Sequence, residues 1–438
     1  MMIWCLQMYV YAFSTVAGIM VVRYLIGLKQ TRDYVRRAAA LCVSDPDRPV
    51  SFVILVPVLR EQNIIGETIS HFERLAGNCL DIHLCIAGTK REYATLKAHG
   101  FAKSTREVVG EIVERSVFRE NFTVDFFEAD DEGRGDRATQ LNHALNAYVE
   151  ARGVVDVVGV YDADSRPTKT TLLEVANRFL ENVGASYQQP AFFLDAANVM
   201  RQHRENPLLI ANAIYQNTWS VISEIPMWVR YGQCDGRSRG NFYCIGHGEF
   251  FPLSVCKRFP FPEHQVTDGI QIGYRLSMSG ERVDILYSHC NDDVPHNLVA
   301  LIEQHKRWFG GCMRLREAHR WCLANVGKSS FLVVADGLWS QFRWAFAANL
   351  YVLALVAAVF SAMLGGCHWL IALTLGLGSV YAYVLPICAT CLTPIRCRVG
   401  LLPFLLLPVA IYVKSVGPSL YILNRLTGRC NVYGKVER

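Results

Sequence analysis

Residues 154–165 read VVDVVGVYDADS, and this stretch decides the fold. Val154 to Val160 is apolar except for Asp156, which predicts a buried strand that runs directly into Asp162-Ala163-Asp164. Side chains two residues apart on an extended chain point to the same side, so both carboxylates are expected to face one way. Hard divalent cations such as Mg²⁺ and Mn²⁺ prefer oxygen ligands of this kind. An Asp-x-Asp pair is also common in surface turns, so the neighbouring sequence must decide between the two interpretations.

Three further strands, each followed by a helix, are predicted before this one. The strands are Ser51–Val58, Asp81–Ala87 and Val124–Phe127, and the helices are Ile64–Leu75, Arg91–Gly100 and Ala138–Glu150. Strands that alternate with helices indicate an α/β domain with a mostly parallel sheet. Ligands of such sheets bind at the carboxyl ends of the strands. These ends hold Glu61, a glycine- and charge-rich loop at 130–137, and the two aspartates of the DAD stretch.

The composition of the 438-residue chain excludes several classes of protein. Hydrophobic residues make up 51% and charged residues 19% of the chain, so much apolar surface that a disordered chain is excluded. The 44 Lys and Arg against 39 Asp and Glu leave a net charge of only +5, so no nucleic-acid partner is expected. The 15 cysteines are scattered and odd in number, which favours reduced, mostly buried side chains over a disulfide framework.

An apolar run at Ile3–Gly27 is long enough to span a bilayer and carries no charge before Arg23. Its positive residues follow the run, whereas those of a cleaved signal peptide precede it. We therefore predict an uncleaved anchor over residues 1–28, with the N-terminus outside and the next segment in the cytoplasm. The basic residues that follow are Lys29, Arg32, Arg36 and Arg37.

Residues 48–328 carry dense charge and are predicted as one cytoplasmic domain, and residues 344–423 are again apolar. The candidate spans are Trp344–Leu364, Trp369–Cys391 and Leu401–Leu423. Lys414 and three prolines weaken the third span, and the basic tail at 424–438 favours the inside, so a broken or re-entrant last segment is an alternative. Residues 329–343 are either an interfacial helix or an ordinary core helix. The sequence indicates an integral, multi-pass protein of the plasma or inner membrane, with about one helix before the domain and about three after it.

Four more motifs accompany the DAD stretch in a definite order. They are Gly135–Asn142 (GDRATQLN), Tyr187–Pro190 (YQQP), Thr267–Gly269 (TDG) and Gln304–Trp308 (QHKRW). With the flanking helices, this order resembles the family-2 glycosyltransferases, membrane-embedded inverting enzymes of the cellulose, chitin and hyaluronan synthase and ceramide glucosyltransferase type. The resemblance covers about Ser51 to Trp308. It implies a GT-A-like nucleotide-sugar-binding domain flanked by transmembrane helices.

The resemblance also implies roles for individual residues. Asp162 would face the nucleotide, and Asp164, together with Asp162, would hold the Mn²⁺ or Mg²⁺ that bridges the sugar diphosphate. Arg137 would contact the diphosphate. Asp268 matches the acid that serves as general base, although the residue alone is also typical of a helix N-cap. The other substrate-binding candidates are Glu61 at the first strand end, Gln189 of a Q-x-P-like element near the acceptor, and Gln304, Arg307 and Trp308, which match Q-x-x-R-W.

The activity that the resemblance implies is transfer of a sugar, with inversion, from a nucleotide-diphosphate donor such as a UDP-sugar to a hydroxyl. The acceptor is either a growing polysaccharide or a lipid. Thr267 stands where the family motif has Glu, and Ala87-Gly88-Thr89 stands where many members have an Asp for uracil, so the base of the donor stays open. The alternative is a non-catalytic membrane partner subunit of a polysaccharide synthase complex. The presence together of the metal pair, the base and Q-x-x-R-W argues against it.

Overall fold

The computed structural model describes residues 2–93, 96, 100–130, 136–193, 206–233, 240–265, 267–292, 294–295, 297–393 and 400–428. An α/β domain lies between one long N-terminal helix and a group of C-terminal helices. The strands are β1 (Val50–Pro57), β2 (Leu80–Thr89), β3 (Phe122–Ala129), β4 (Val157–Val160), β5 (Ser186–Gln188), β6 (Ala191–Phe192), β7 (Glu249–Pro252), β8 (Val283–Ile285) and β9 (Cys290–Asn291). The helices are α1 (Met2–Ala39), α2 (Ile65–Leu75), α3 (Thr105–Arg115), α4 (Arg137–Arg152), α5 (Lys169–Glu181), α6 (Pro207–Trp219), α7 (Ile225–Gln233), α8 (Leu253–Arg258), α9 (Asp268–Ser279), α10 (Leu298–Cys312), α11 (Leu315–Asn325), α12 (Phe331–Met363), α13 (Trp369–Thr390), α14 (Leu401–Leu405) and α15 (Leu407–Leu426).

Seven strands form one sheet in the order β3-β2-β1-β4-β7-β5-β8. The first four are parallel, whereas β7 runs antiparallel to both of its neighbours, β4 and β5. β6 and β9 form a separate parallel pair. The predicted α/β class with a mostly parallel sheet is therefore confirmed.

The local predictions differ from the structure at three places. β4 begins at Val157 rather than Val154, because the Asp156 carboxylate accepts hydrogen bonds from Arg48 and from the backbone N–H of Ser51. The predicted helix Arg91–Gly100 begins as a 3₁₀ turn at Lys90–Glu92, and most of its remainder lies outside the described residues. Helix α3, which the sequence analysis did not predict, starts with a capping box between Ser104 and Glu107.

Both faces of the sheet are buried, as an α/β domain requires. Phe52, Ile54 and Val56 of β1 pack on one side with the apolar faces of α2 and α5. Val53 and Leu55 pack on the other side with α4 and α9. Strand alternation thus divides one apolar run between two cores. These two cores hold the carboxyl ends of β1 and β4 side by side.

Three helices within the described ranges are long and apolar enough to cross a membrane, namely α1, α12 and α13. Helix α12 runs without interruption from Phe331, so the segment 329–343 is continuous with the apolar stretch that follows it. The third expected C-terminal span, Leu401–Leu423, is not among these three. It is divided at Leu406 into α14 and α15, and Lys414 of α15 is buried.

The apolar helices are attached directly to the α/β domain. The Thr31 hydroxyl of α1 donates to the C=O of Val221, and the Tyr34 hydroxyl donates to the C=O of Leu286 at 2.6 Å. At the other end of the chain α15 packs closely on α10, where a Cβ on Gly417 would lie 2.6 Å from the backbone nitrogen of Lys306. Glycine at 417 therefore sets how close the two helices come.

We predict that Gly417→Ala lowers the melting temperature of the detergent-solubilised protein. The added methyl group would also lie 2.8 Å from the Cβ of His305, and overpacking of this kind costs about 1–3 kcal/mol. Gly18→Ala in α1 is the matched control, because nothing lies within 4 Å of the place that its methyl group would take. The control should be neutral or slightly stabilising, since Ala is the better helix former. Equal melting temperatures for the two variants would contradict the close packing.

Candidate functional site

One cavity of about 1460 Å³ connects the carboxyl ends of β1 and β4 with the apolar helices. The walls on the domain side come from the strand ends, the start of α4, the start of α9 and one face of α10. The walls on the other side come from α1, α12, α13 and α15. The predicted site residues that line it are Glu61, Arg137, Asp162, Asp164, Asp268, Gln304, Arg307 and Trp308.

The two aspartates of the DAD stretch follow β4 and both line this cavity. The backbone C=O of Ala163 between them accepts a hydrogen bond from the Thr68 hydroxyl, which fixes the turn. The Asp162 backbone C=O accepts the N–H of Ser165 at 3.0 Å. Two carboxylates at one wall of a cavity supply the oxygen ligands that Mg²⁺ or Mn²⁺ prefers.

Arg137 lies between the acidic groups of the site. It is the first residue of α4, and Asp136 caps this helix by accepting the N–H of Thr139. The Arg137 guanidinium donates to Asp162 Oδ1 at 3.1 Å and also to Asp268 Oδ2 and the C=O of Gly246. Burial alone would lower the pKa of Arg137, but the nearby carboxyl groups outweigh it and raise the pKa. The cation therefore stays charged and joins three segments of the chain.

Asp268 is the first residue of α9 and is buried. Thr267 occupies the N-cap position, so the capping alternative considered for Asp268 does not describe its place in the helix. Burial raises the pKa of Asp268, and the Arg137 guanidinium opposes this shift. Gly269 leaves room for the Gly246 loop, because a Cβ there would lie 2.4 Å from the backbone nitrogen of Gly246. A buried carboxyl with a raised pKa is a stronger base than an ordinary aspartate once it is ionised.

The Q-x-x-R-W residues lie on α10 and share one face of it. Their spacing of three and four residues brings Gln304, Arg307 and Trp308 to the same wall of the cavity. The Trp308 ring lies 5.6 Å from the His305 ring and 6.2 Å from the Phe193 ring, measured between centroids. Rings packed on two sides hold the indole in place at the cavity wall.

Gln189 is not part of the cavity wall. Its buried side chain accepts from the Tyr161 hydroxyl at 2.7 Å and donates to the Thr171 hydroxyl at 3.1 Å, so its contact with an acceptor stays a prediction. Gln188, which the sequence analysis did not select, holds the loop Gly246-His247-Gly248 by donating to the C=O of His247 at 3.0 Å. Glu61 does line the cavity, and its backbone N–H donates to the Thr105 hydroxyl at 3.1 Å.

Glu249 is a further acidic residue beside the site that the sequence analysis missed. It is fully buried at the start of β7, and its Oε1 accepts the N–H of Gly246 at 2.7 Å. Burial and the Asp268 carboxylate raise its pKa to about 8, against the opposing effect of Arg137. The Gly-His-Gly turn before it was the available signal, because two glycines with positive φ indicate a tight loop.

A second group of possible metal ligands includes His247 of the loop Gly246-His247-Gly248. One ligand atom each of His247, Cys290 and Asp292 lies within 4.8 Å of the others, and His247 Nε2 is 3.2 Å from Asp292 Oδ2. Burial alone would lower the pKa of His247, but the Asp292 carboxylate outweighs it and raises the pKa. Nitrogen and sulfur donors suit Zn²⁺ better than Mg²⁺. The oxygen pair of Asp162 and Asp164 is therefore the better match to Mg²⁺ or Mn²⁺.

We predict that the melting temperature of the wild type, relative to that of Glu249→Gln, falls as the pH rises from 5 to 8. In this range the unfolded chain has released the Glu249 proton, whose ordinary pKa is 4.5, whereas the folded protein keeps it up to about pH 8. The folded state then binds more protons than the unfolded state, so rising pH favours unfolding. Glutamine has no proton to lose and mimics the neutral carboxyl.

Differential scanning fluorimetry of the detergent-solubilised protein at four pH values measures this difference. Glu114→Gln on the exposed face of α3 is the control and should follow the wild type at every pH. A difference between wild type and Glu249→Gln that does not change with pH would contradict a neutral buried carboxyl.

Comparison with known proteins agrees with this fold. No curated protein matches the chain. Among solved structures, the mannosyltransferase PcManGT from Pyrobaculum calidifontis in complex with GDP-Man and Mn²⁺ is 13% identical, with a TM-score of 0.51 over 92% of this chain and 99% of that chain. Residues 1–349 of S. aureus TarS in complex with UDP are 12% identical, with a TM-score of 0.40 over 89% of this chain and 95% of that chain.

The α/β domain therefore has the GT-A-like fold that the resemblance implied. Residues 157–395 match the model of glycosyl transferase family group 2. Because this match covers more than half of the 438 residues, the chain belongs to glycosyl transferase family group 2.

Proposed function

We propose that the protein transfers a sugar from a nucleotide-diphosphate donor to the hydroxyl of a membrane lipid, with inversion at the anomeric carbon. The observation that carries the proposal is the single cavity in which Asp162, Asp164, Arg137 and Asp268 meet and which continues between apolar helices. PcManGT, which is similar in fold, was solved with GDP-Man and Mn²⁺. A metal-dependent nucleotide-sugar transferase combines these features.

The donor half of the site is formed by Asp162, Asp164 and Arg137. The oxygen pair fits Mn²⁺ or Mg²⁺, and such a cation would neutralise negative charge that develops on the departing nucleoside diphosphate. Arg137 at the N-terminus of α4 would bind diphosphate oxygens, since its planar guanidinium and the helix end both favour anions. The diphosphate is then the leaving group, and its bond to the anomeric carbon breaks as the acceptor oxygen attacks.

Asp268 is the proposed general base. Its carboxylate would take the proton of the acceptor hydroxyl while that oxygen forms the new bond to the anomeric carbon. Burial strengthens the base by raising its pKa, and Arg137 limits the shift so that the carboxylate can still ionise. Attack from the side opposite to the diphosphate inverts the configuration.

The part of the cavity between the long helices favours a lipid over a growing polysaccharide. Its walls there are apolar, formed by residues such as Phe13 and Val16 of α1, Leu350 of α12 and Leu377 of α13. A sugar chain needs hydrogen-bonding partners along its path, whereas an alkyl chain is stabilised by apolar walls. Trp308 of α10 lines the same cavity, where its flat ring can contact the acceptor headgroup.

The protein is proposed to be an integral membrane protein whose α/β domain faces the cytoplasm. The apolar part of α1 is followed by five basic residues on the same helix, Arg23, Lys29, Arg32, Arg36 and Arg37. Positive residues next to a span favour the cytoplasmic side. Donor nucleotide sugars would then reach Asp162 and Asp164 from the cytoplasm, and the lipid would enter from the bilayer.

We predict that sugar transfer requires Mn²⁺ or Mg²⁺, is abolished by excess EDTA, and is lost in Asp164→Asn, since a neutral amide cannot balance the charge of the metal. The assay measures nucleoside diphosphate release from a panel of UDP- and GDP-sugars by the solubilised protein with added membrane lipids. Asp47→Asn, which replaces an exposed acid between α1 and β1 that does not line the cavity, is the control and should keep wild-type activity. Full activity in EDTA would contradict the metal assignment, and a wild type silent with every donor would favour the partner-subunit alternative.

We predict that Asp268→Asn reduces transfer by roughly 10²- to 10⁴-fold, the usual contribution of a general base. Binding of the nucleoside diphosphate with Mn²⁺, measured by calorimetry, should persist because the donor half of the site is intact. The acid limb of kcat/KM in the wild type should lie at a higher pH than an ordinary aspartate would give, since burial raises the pKa of Asp268. An Asp268→Asn protein with wild-type turnover would remove the residue from the mechanism.

A further inference from the structure

Two basic side chains line the cavity where it passes from the domain into the apolar helices. They are Arg343 of α12 and Lys414 of α15. Lys414 Nζ lies 5.0 Å from the centre of the Tyr215 ring and 5.1 Å from that of Trp219, and the Arg343 guanidinium lies 5.9 Å from the centre of the Trp219 ring. We call the part of the cavity formed by Arg343, Lys414, Tyr215, Trp219 and Trp344 the cationic chamber.

Neither cation of the chamber has a carboxylate within 4.0 Å among the parts of the chain that the structure describes. Arg343 Nη1 donates to the Tyr24 hydroxyl at 2.8 Å, but its Nε is buried without a hydrogen-bond partner. The acid that lines the same region is Glu224, which accepts from the hydroxyls of Tyr243 and Ser220, both at 2.6 Å. Two cations and one acid leave the chamber with an excess of positive charge.

A buried cation without a bound anion is costly, because aromatic rings and hydroxyls replace only part of its hydration. A guanidinium with an unsatisfied donor and a nearby ammonium form a typical binding site for a phosphate group. The aromatic walls of the chamber come from α6 and α12 rather than from the strand ends that carry the aspartates. The chamber adjoins Trp308 through the His305 ring, which lies 6.3 Å from the Trp344 ring.

The apolar walls continue directly from this chamber. Tyr351 of α12 and Phe13 of α1, whose ring centres are 6.3 Å apart, both line the same cavity. A ligand that fits the whole path has an anionic end at Arg343 and Lys414 and a hydrocarbon end between α1, α12 and α13. A nucleotide or a neutral sugar chain lacks one of these two features.

We propose that the cationic chamber binds the phosphate of a membrane lipid and that the sugar acceptor is a lipid with a phosphate in its headgroup. The first part concerns binding alone, and the second rests on the proposed function. The chamber would position the headgroup so that a hydroxyl of the same lipid reaches toward Trp308 and Asp268. Arg343 and Lys414 are then binding residues for the acceptor rather than for the donor.

The test compares two soluble short-chain lipids that differ only in the phosphate, dioctanoyl phosphatidic acid and dioctanoylglycerol. We expect the full-length, detergent-solubilised protein to bind phosphatidic acid at least tenfold more tightly, because a phosphate held by two cations makes charge-assisted hydrogen bonds. Arg343→Gln and Lys414→Met should each remove most of this preference. Arg320→Gln and Lys328→Met replace exposed basic residues outside the cavity and should keep it.

Equal affinity of the wild type for the two lipids would overturn the proposal, and so would an unchanged preference in both chamber variants. Inorganic phosphate is the third probe. If it binds as tightly as phosphatidic acid and is lost in the same variants, the chamber is a site for free phosphate and the lipid assignment is wrong. If a chamber variant fails to fold, Arg343→Lys and Lys414→Arg are tested instead, because both keep the charge. Both are expected to keep the preference for phosphatidic acid. Loss of that preference in both variants would contradict the proposal.

The failure of this inference is distinguishable from failure of the proposed function. Donor hydrolysis that depends on Asp164, without any preference for phosphatidic acid, would reject the chamber and leave sugar transfer intact. Preferential lipid binding by a protein that releases no nucleoside diphosphate from any donor would support the chamber and reject sugar transfer.

Discussion

The ion pairs of Arg137 are the interaction on which the candidate site depends. One guanidinium contacts Asp162, Asp268 and the C=O of Gly246, which come from three separate segments of the chain. Without a cation between them, two carboxylates in one cavity would repel each other. Removal of one partner from such a buried group typically costs about 3–5 kcal/mol. Arg137 thus fixes the position of the acids around it and opposes the rise in the pKa of Asp268 that burial causes.

The attachment of the long helices to the α/β domain extends this site between the apolar helices. Gly27 of α1 allows close contact with the C=O of Ile222, where a Cβ would lie 2.4 Å from the oxygen, and Gly417 allows the same between α15 and α10. These close contacts, one in α1 and one in α15, hold the apolar helices against the α/β domain. The cavity is continuous for this reason, and its two halves differ in polarity because one is built from strand ends and the other from apolar helices.

Local sequence patterns predicted the features that depend on near neighbours. The first four parallel strands follow from apolar runs, and the shared face of Gln304, Arg307 and Trp308 follows from helical spacing. The two DAD aspartates both line the cavity, but from a turn that begins at Asp162 rather than by alternation along an extended strand. Features set by distant contacts were missed or predicted differently. Gln189 turns into the core because Tyr161 and Thr171 offer it hydrogen bonds, and Glu249 becomes a buried acid only when β7 pairs beside β4. The division of the last apolar segment at Leu406, by contrast, agrees with the broken segment that the prolines had suggested, because Pro408 stands at the start of α15 and has no backbone N–H to donate.

On the proposed function, the shared use of Arg137 by Asp162 and Asp268 would link donor binding to the strength of the base. The Arg137 guanidinium lowers the pKa of Asp268 against the effect of burial. A diphosphate that binds Arg137 would compete with Asp268 for the same guanidinium N–H donors. The guanidinium would then lower the pKa of Asp268 less than it does without the diphosphate. The pKa of Asp268 then rises further, and a carboxylate with a higher pKa accepts the proton of a hydroxyl more readily. Displacement of water by a lipid acceptor acts in the same direction, since it deepens the burial of the carboxyl. The base would therefore be strongest when both substrates are bound, which limits transfer of the sugar to water while the acceptor is absent.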